Sequence, residues 1–108
     1  MNTLSTHVLD TSLGRPASGI HVSLEQDGTE LGRGVTDTNG RIADIRGSKE
    51  LAAGTYRLRF EVAEYFARTE RSSLFPEVVV IFRVGGGHEH YHIPVLLTPF
   101  GYTTYRGS

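Results

Sequence analysis

The sequence predicts an all-β protein, an antiparallel β-sandwich of Greek-key type with seven to eight strands and one short helix. Three observations support this prediction. Apolar and polar residues alternate with a period of two in several short segments, turn residues recur about every 8–12 residues, and a single segment has the composition of a helix. The 108 residues suffice to bury a hydrophobic core, so we expect one domain over residues 1–108.

The N-terminal half contains predicted strands separated by turns. In the first strand, residues 3–9, side chains alternate between two faces, with Leu4, Thr6 and Val8 on one and Ser5, His7 and Leu9 on the other. Residues 10–17 contain Asp, Ser, Gly and Pro, which predict a loop. Residues 20–25 alternate again, and the Gln-Asp-Gly turn at 26–28 leads into a returning strand at 30–36.

The dipeptide Asn39-Gly40 is the clearest turn signal in the chain, because it readily adopts the positive φ values of a tight hairpin. Ile42 and Ile45 follow in a short strand. Arg41 comes directly after the turn, and we therefore expect its side chain to project from the end of a hairpin.

The C-terminal half contains the strongest strand patterns. Residues 56–62 alternate, residues 63–70 predict the one helix, which is short enough to require packing, and residues 78–84 are β-branched and predict a central strand. After the triple glycine at 85–87, residues 90–97 alternate between a core face and an outer face, with Tyr91, Ile93, Val95 and Leu97 on the first and His90, His92, Pro94 and Leu96 on the second.

Composition excludes several classes of function. The net charge is −1 and the sequence pI is about 6.5, so nothing indicates nucleic acid or an anionic membrane as a partner. The chain has no cysteine, which excludes disulfides, thiol nucleophiles and thiolate metal sites. No apolar run approaches the roughly 18 residues of a membrane span, and no signal-peptide pattern is present, so we expect a cytoplasmic protein.

Four residues are candidates for chemistry. His7 and His92 lie on strand faces opposite the main apolar set, and a histidine near its ordinary pKa of about 6.5 exchanges protons at neutral pH. Arg41 can bind an oxygen-rich planar substrate and stabilise a developing oxyanion. Ser108 ends the given sequence, where its hydroxyl and an α-carboxylate could both act.

Other interpretations of these residues stay open at this point. Most histidines on strands are surface residues or are satisfied by neighbours. His88, His90 and His92 occupy alternate positions, share one strand face and could form a zinc site. A Gly-x-Ser-x-Gly motif is absent, which disfavours a serine-nucleophile hydrolase. The pattern alone does not show which strands lie side by side, so it does not decide between these possibilities.

Five segments resemble the 5-hydroxyisourate hydrolases, the transthyretin-related enzymes of urate breakdown. They are Ser-Thr-His-Val-Leu-Asp at 5–10, Gly-Arg-Pro-Ala at 14–17, Thr-Asp-Thr-Asn-Gly-Arg at 36–41, His-Tyr-His-Ile-Pro-Val-Leu-Leu at 90–97 and Tyr-Arg-Gly-Ser at 105–108. The resemblance spans nearly the whole chain, and its terminal segment is the most specific. It implies a transthyretin-like (prealbumin-like) β-sandwich that assembles as a homotetramer, a dimer of dimers, with active sites in a channel between subunits.

The resemblance also implies a site and a reaction. His7, Arg41, His92 and Ser108 would form the catalytic set, and His7, Arg41, Ser108 and the channel-wall residue Tyr105 would bind the substrate. We expect hydrolysis of 5-hydroxyisourate to 2-oxo-4-hydroxy-4-carboxy-5-ureidoimidazoline, without a metal or other cofactor. His92, in preference to His7, would activate water, Arg41 would hold the substrate and the oxyanion, and Ser108 would orient a histidine or the water. The alternative is a non-catalytic prealbumin-like carrier or binding module.

Overall fold

A computed structural model describes residues 1–47 and 49–108 and shows two β-sheets with one short helix. In chain order the elements are β1 (Thr3–Asp10), β2 (Arg15–Pro16), β3 (His21–Gln26), β4 (Thr29–Val35), β5 (Arg41–Ile42), β6 (Gly54–Glu61), α1 (Val62–Arg68), β7 (Val78–Val84), β8 (His90–Thr98) and β9 (Gly101–Thr104). Two of these strands have only two residues each. The predicted all-β fold class with one short helix is confirmed.

The first sheet has the strand order β2-β1-β8-β9, with β5 also paired to β1, and the second has the order β4-β3-β6-β7. Among the described strands, neighbours run antiparallel except for β1 and β8, which pair in parallel over eight residues, from Thr3 opposite His90 to Asp10 opposite Leu97. This parallel pair joins the two ends of the chain. It also places the histidines of β1 and β8 on one sheet face.

The core lies between the sheets, as the alternation predicted. The fully or almost fully buried side chains from the first sheet include Leu4, Val8, Ile93, Val95 and Leu97, and those from the second include Val22, Leu24, Leu58 and Phe60. Each such side chain contributes roughly 1.5–3 kcal/mol when it leaves water. The core therefore fixes which faces of β1 and β8 point outward.

The helix begins one residue earlier and ends two residues earlier than predicted. It spans Val62–Arg68 and buries Val62, Tyr65 and Phe66. It ends because Glu70 adopts a left-handed conformation (φ 56°), and the N–H of Arg71 then donates to the carbonyl of Phe66 at 2.9 Å. A helix of seven residues depends on this packing for its stability.

The predicted turn at Asn39-Gly40 is present, but the strands on either side of it do not pair as a tight hairpin. The turn is present, since the N–H of Gly40 donates to Asp37 and that of Asp37 to Arg41, but only Gly40 of the dipeptide has a positive φ (75°). Strand β5 then pairs with β1 of the other sheet instead of returning along β4. Gly40 allows this crossing because a Cβ there would lie 2.3 Å from the carbonyl oxygen of Val8.

The predicted loop at residues 10–17 is also partly wrong. Asp10 is the last residue of β1 and is completely buried, and Arg15 and Pro16 form the short strand β2. The polarity of Asp10 predicts a loop, because the sequence does not reveal that two of the groups that satisfy the buried carboxylate come from far along the chain. They are Tyr65 and Arg71, at and just beyond helix α1.

Candidate active site

His92 lies on the outer face of β8, where its ring is half-buried. Its partner across the parallel pair is Ser5, whose hydroxyl lies 2.7 Å from Nδ1 of His92. The same hydroxyl lies 2.8 Å from Nε2 of His90. One imidazole nitrogen of His92 is therefore occupied, while the described residues offer Nε2 no hydrogen bond.

His7 and Arg41 lie beside this histidine. Within β1, His7 follows Ser5 on the same face, and in the neighbouring strand β5 Arg41 is its direct partner. Both border an open depression of about 440 Å³ that is lined by His7, Leu9, Pro16, Asn39 and Arg41. Three segments distant in sequence thus bring two histidines and one arginine to a single outer face.

The turn before Arg41 is anchored by Asp37. Its carboxylate accepts the backbone N–H groups of Asn39 and Arg41 at 2.9 and 3.0 Å. The hydrogen bond from the Arg41 backbone is the main cause that lowers the pKa of the Asp37 carboxyl. The bond from Asn39 and the charges of Arg41 and His7 lower this pKa further, and together they outweigh the opposing effect of desolvation. An ionised Asp37 therefore stabilises the backbone from which the Arg41 side chain extends.

The C-terminal tail runs along β8 and reaches His92. Beyond β9, the N–H of Gly107 donates to the carbonyl of His92 at 2.7 Å, in the same register that sets Val95 opposite Thr104. A Cβ at position 107 would lie 2.5 Å from Cδ2 of His92, so glycine lets the tail lie against the ring. Ser108 follows directly and is exposed.

Tyr105 does not line the depression that contains His7 and Arg41. The tail register sets it opposite Pro94, and 53% of its surface is exposed. It also borders a second cleft together with Arg106 and Tyr91. The part of Tyr105 in the site therefore stays a prediction, since Tyr105 is not among the residues that line this depression.

The electrostatic setting of His92 favours its neutral form. Burial is the largest cause that lowers the pKa of His92, and the nearby charges of His7, His90 and Arg41 lower it further. A neutral imidazole with an unoccupied nitrogen can accept a proton. This is the chemistry that a general base requires.

The structure changes the interpretation of the three-histidine pattern. Over residues 1–47 and 49–108, no group of three His, Cys, Asp or Glu side chains is arranged to hold a metal ion. His90 instead lies between two hydroxyl groups, those of Thr3 (2.6 Å) and Ser5 (2.8 Å). Sequence reasoning missed the contacts of Ser5 with His90 and His92 because only the parallel pairing of β1 with β8 brings these residues together.

In the part of the chain that the structure describes, no helix is long and apolar enough to cross a membrane.

The fold and the site together define a transthyretin-like β-sandwich that carries a histidine and arginine cluster on an outer sheet face. The chain belongs to the HIUase/Transthyretin family, whose model matches residues 4–107. A 5-hydroxyisourate hydrolase from Salmonella typhi is 44% identical over 99% of this chain and 82% of its own length. The structure of Klebsiella pneumoniae 5-hydroxyisourate hydrolase is 45% identical with a TM-score of 0.92 and covers 100% of both chains. Sea bream transthyretin, solved in complex with thyroxine, is 31% identical with a TM-score of 0.89 over 97% of this chain and 94% of its own.

Proposed function

We propose that this chain hydrolyses 5-hydroxyisourate, a product of urate oxidation, to 2-oxo-4-hydroxy-4-carboxy-5-ureidoimidazoline. The observation that carries the proposal is the convergence of His7, Arg41 and His92 on one outer face beside the tail that ends in Ser108. The cluster occurs in a chain that is 44–45% identical, over almost its full length, to proteins named as hydrolases of this substrate.

His92 is the general base in this proposal. Its Nε2 takes a proton from water while the water oxygen attacks a ring carbonyl of the substrate. The C–N bond of the tetrahedral intermediate then breaks, the ring opens, and the proton passes to the leaving nitrogen. The low pKa supports this role because it keeps the imidazole neutral and able to accept the proton.

Arg41 holds the substrate and stabilises the oxyanion. Its guanidinium carries a permanent charge and several donors in one plane, which matches a planar heterocycle with several carbonyl oxygens. The anchored turn at Asp37 supports the role because it fixes the backbone of this arginine. Pre-positioned donors of this kind lower the barrier as charge develops on the oxygen.

His7 and Ser108 complete the proposed site. His7 lies between Arg41 and His92 on the face and contacts the substrate or the water. Ser108 follows the residue that is bonded to the His92 backbone, so its hydroxyl is within reach of the same region and orients the water or a histidine. Tyr105 contributes as a wall of the site once other copies of the chain cover it.

We propose a homotetramer built as a dimer of dimers, in which the outer face of the β1-β8 sheet meets a second copy. The half-buried Leu9 and Leu96 on this face, with the exposed Phe100 and Tyr105 nearby, support such a cover. A cytoplasmic location stays a prediction of the sequence.

The proposal is tested by adding the protein to freshly prepared 5-hydroxyisourate and following the ultraviolet absorbance against the uncatalysed decay. We expect a large acceleration that a chelator does not change, because the proposed chemistry uses only side chains of this chain. Sea bream transthyretin is a matched control of the same fold. Decay at the uncatalysed rate would reject the hydrolase and favour the carrier.

A further inference from the structure

A chain of hydrogen bonds leads from Thr3 through His90 and Ser5 to His92. The hydroxyl of Thr3 lies 2.6 Å from Nδ1 of His90, and the hydroxyl of Ser5 lies 2.8 Å from Nε2 of His90 and 2.7 Å from Nδ1 of His92. Ser5 is buried, whereas His90 is exposed. A buried hydroxyl therefore links two imidazole rings that lie two residues apart on β8.

The single proton of Ser5 makes the two rings dependent on each other. A hydroxyl donates one hydrogen bond and accepts others, so Ser5 can donate to only one of the two imidazoles. If it donates to Nε2 of His90, the bond to His92 requires a proton on Nδ1 of His92, and Nε2 of that ring carries a lone pair. If it donates to His92, the proton of His92 moves to Nε2, and the ring cannot act there as a base.

The first arrangement is the one that the proposed base requires, because it leaves the lone pair on Nε2 of His92. The Cδ2 edge of the His92 ring faces Gly107, so the adjoining Nε2 lies on the tail side, away from Ser5. In the same arrangement Nδ1 of His90 donates to Thr3, and every member of the chain keeps a partner.

We propose that Ser5 and His90 are positioning residues, which hold the proton of His92 on Nδ1 and leave Nε2 as the proton acceptor. Neither contacts the substrate. The proposal deepens the proposed function, since it explains how His92 is kept in the form that a general base needs. The tautomer itself is a property of the protein without substrate, so it can be tested separately from catalysis.

The direct test is the tautomer of His92, measured by two-dimensional ¹H–¹⁵N correlation of the ring nitrogens in protein with ¹⁵N-labelled histidine. The measurement is made on the full chain above the pKa of the histidines, with His92→Asn used to assign the signals. We expect His92 with its proton on Nδ1 in the wild type and in Ser5→Thr, which keeps the hydroxyl. In Ser5→Ala we expect a shift toward the form protonated on Nε2.

A second variant covers the case in which the buried Ser5→Ala substitution prevents folding. His90→Ala changes an exposed residue and frees the Ser5 proton for Nδ1 of His92, so the same shift toward Nε2 protonation is expected. Folding is checked by circular dichroism. A wild-type His92 protonated on Nε2, or a His92 tautomer that neither variant changes, would overturn the proposal.

Kinetics provide the second readout. In Ser5→Ala and His90→Ala we expect kcat to fall roughly tenfold or more, the scale for partners that orient a functional histidine, with KM unchanged. A rise in KM at constant kcat would instead make these residues part of substrate binding and contradict the positioning role. A wild type with no hydrolase activity would reject the proposed function alone, because the tautomer measurement needs no substrate.

Discussion

At the scale of single residues, the site depends on how the surroundings of His92 alter its acidity. Burial and the charges of His7, His90 and Arg41 all disfavour the imidazolium, so the pKa of His92 lies below its ordinary value of 6.5. The neutral imidazole is consequently favoured more than in a free histidine. A histidine on a fully solvated strand face would lack this lowered pKa, because neither burial nor neighbouring positive charges would act on its ring.

This acidity predicts the pH dependence of catalysis. A general base works only when it is neutral, so kcat/KM should fall as the pH drops through the pKa of His92, with an apparent midpoint below 6.5. The charges that act on His92 are those of His7 from β1, His90 from β8 and Arg41 from β5. A midpoint at or above 6.5 would contradict the environment described for His92. If His92→Asn keeps a near-wild-type rate and shows the same fall of kcat/KM at low pH, His7 would be the base.

At the scale of elements, the tail is positioned by close contact with β8. Gly107 is bonded to the backbone of His92 and has no side chain to displace the ring. On the other side, Arg106 pairs with Glu89 at 3.1 Å and lies over the ring of Tyr91 at 4.6 Å. These contacts hold the tail against β8 up to Gly107, the residue before Ser108.

We predict that Gly107→Ala inactivates the protein without unfolding it. The new Cβ would lie 2.5 Å from Cδ2 of His92, so the ring or the tail must move. A misplacement of about 1 Å costs roughly a hundredfold in rate. Gly86→Ala is the matched control, because a Cβ there meets no atom within 4 Å. Equal decay rates of 5-hydroxyisourate in the two variants would show that the tail does not need this close approach.

A second contact between elements joins the end of β1 to the helix region. Asp10 is completely buried and accepts hydrogen bonds from Tyr65 (2.7 Å), Arg71 (2.6 Å) and Ser12 (2.6 Å). Burial alone would raise the pKa of the Asp10 carboxyl, but the bonds from Arg71, Ser12, Tyr65 and Leu13 outweigh it and hold this pKa well below the ordinary 3.8. Asp10 thus stabilises the fold as a carboxylate.

Replacing this carboxylate should weaken the fold. We expect Asp10→Asn to lower the free energy of unfolding by about 3 kcal/mol at neutral pH, the scale for breaking a buried ion pair. The contribution of Asp10 is complete above its ordinary pKa and is lost as the pH falls through the lower folded-state pKa, so the variant should also lose less stability in acid. Urea titrations at several pH values measure both effects.

The control is Glu30→Gln, which breaks a half-exposed pair with Arg33 and should cost under about 1 kcal/mol. An equal loss of stability in both variants would contradict the role of Asp10.

The sequence predicted the strand faces but not the partners of the strands. Alternation alone places Tyr91 and Ile93 in the core and His92 on the outer face, and it does so regardless of which strand lies alongside. The structure confirms these assignments. The pairing of Ser5 with His92 joins residues 87 positions apart, and no local pattern encodes it. For the same reason, the crossing of Arg41 to β1 and the burial of Asp10 became visible only in the fold.

At the scale of the whole molecule, the proposed site lies on a surface that one copy of the chain leaves open. His7 and Arg41 border an open depression, and the apolar Leu9 and Leu96 share their face with these polar groups. A second copy would cover the apolar residues and enclose the depression. Closure would also exclude water from around the charged groups, which strengthens their interactions with a substrate.

We predict that Leu96→Glu reduces the proposed tetramer to smaller species and lowers activity while the circular dichroism spectrum stays native. A charge at this half-buried position would have to be desolvated in the interface. Val35→Glu is the control, because Val35 is 47% exposed at the end of β4 in the other sheet. Light scattering coupled to size exclusion measures the assembly, and a Leu96→Glu tetramer of full activity would place the interface elsewhere.

The most direct test of the central claim, that the outer-face cluster performs the hydrolysis, compares the decay of 5-hydroxyisourate with wild type, Arg41→Ala and His92→Asn. The comparison uses samples that sizing shows to be the same assembly, with His21→Asn as a histidine control from the other sheet. We expect turnover to fall roughly a hundredfold or more in the first two variants, the scale for oxyanion and general-base groups, and to stay near wild type in His21→Asn. Near-wild-type turnover in both Arg41→Ala and His92→Asn would contradict the account.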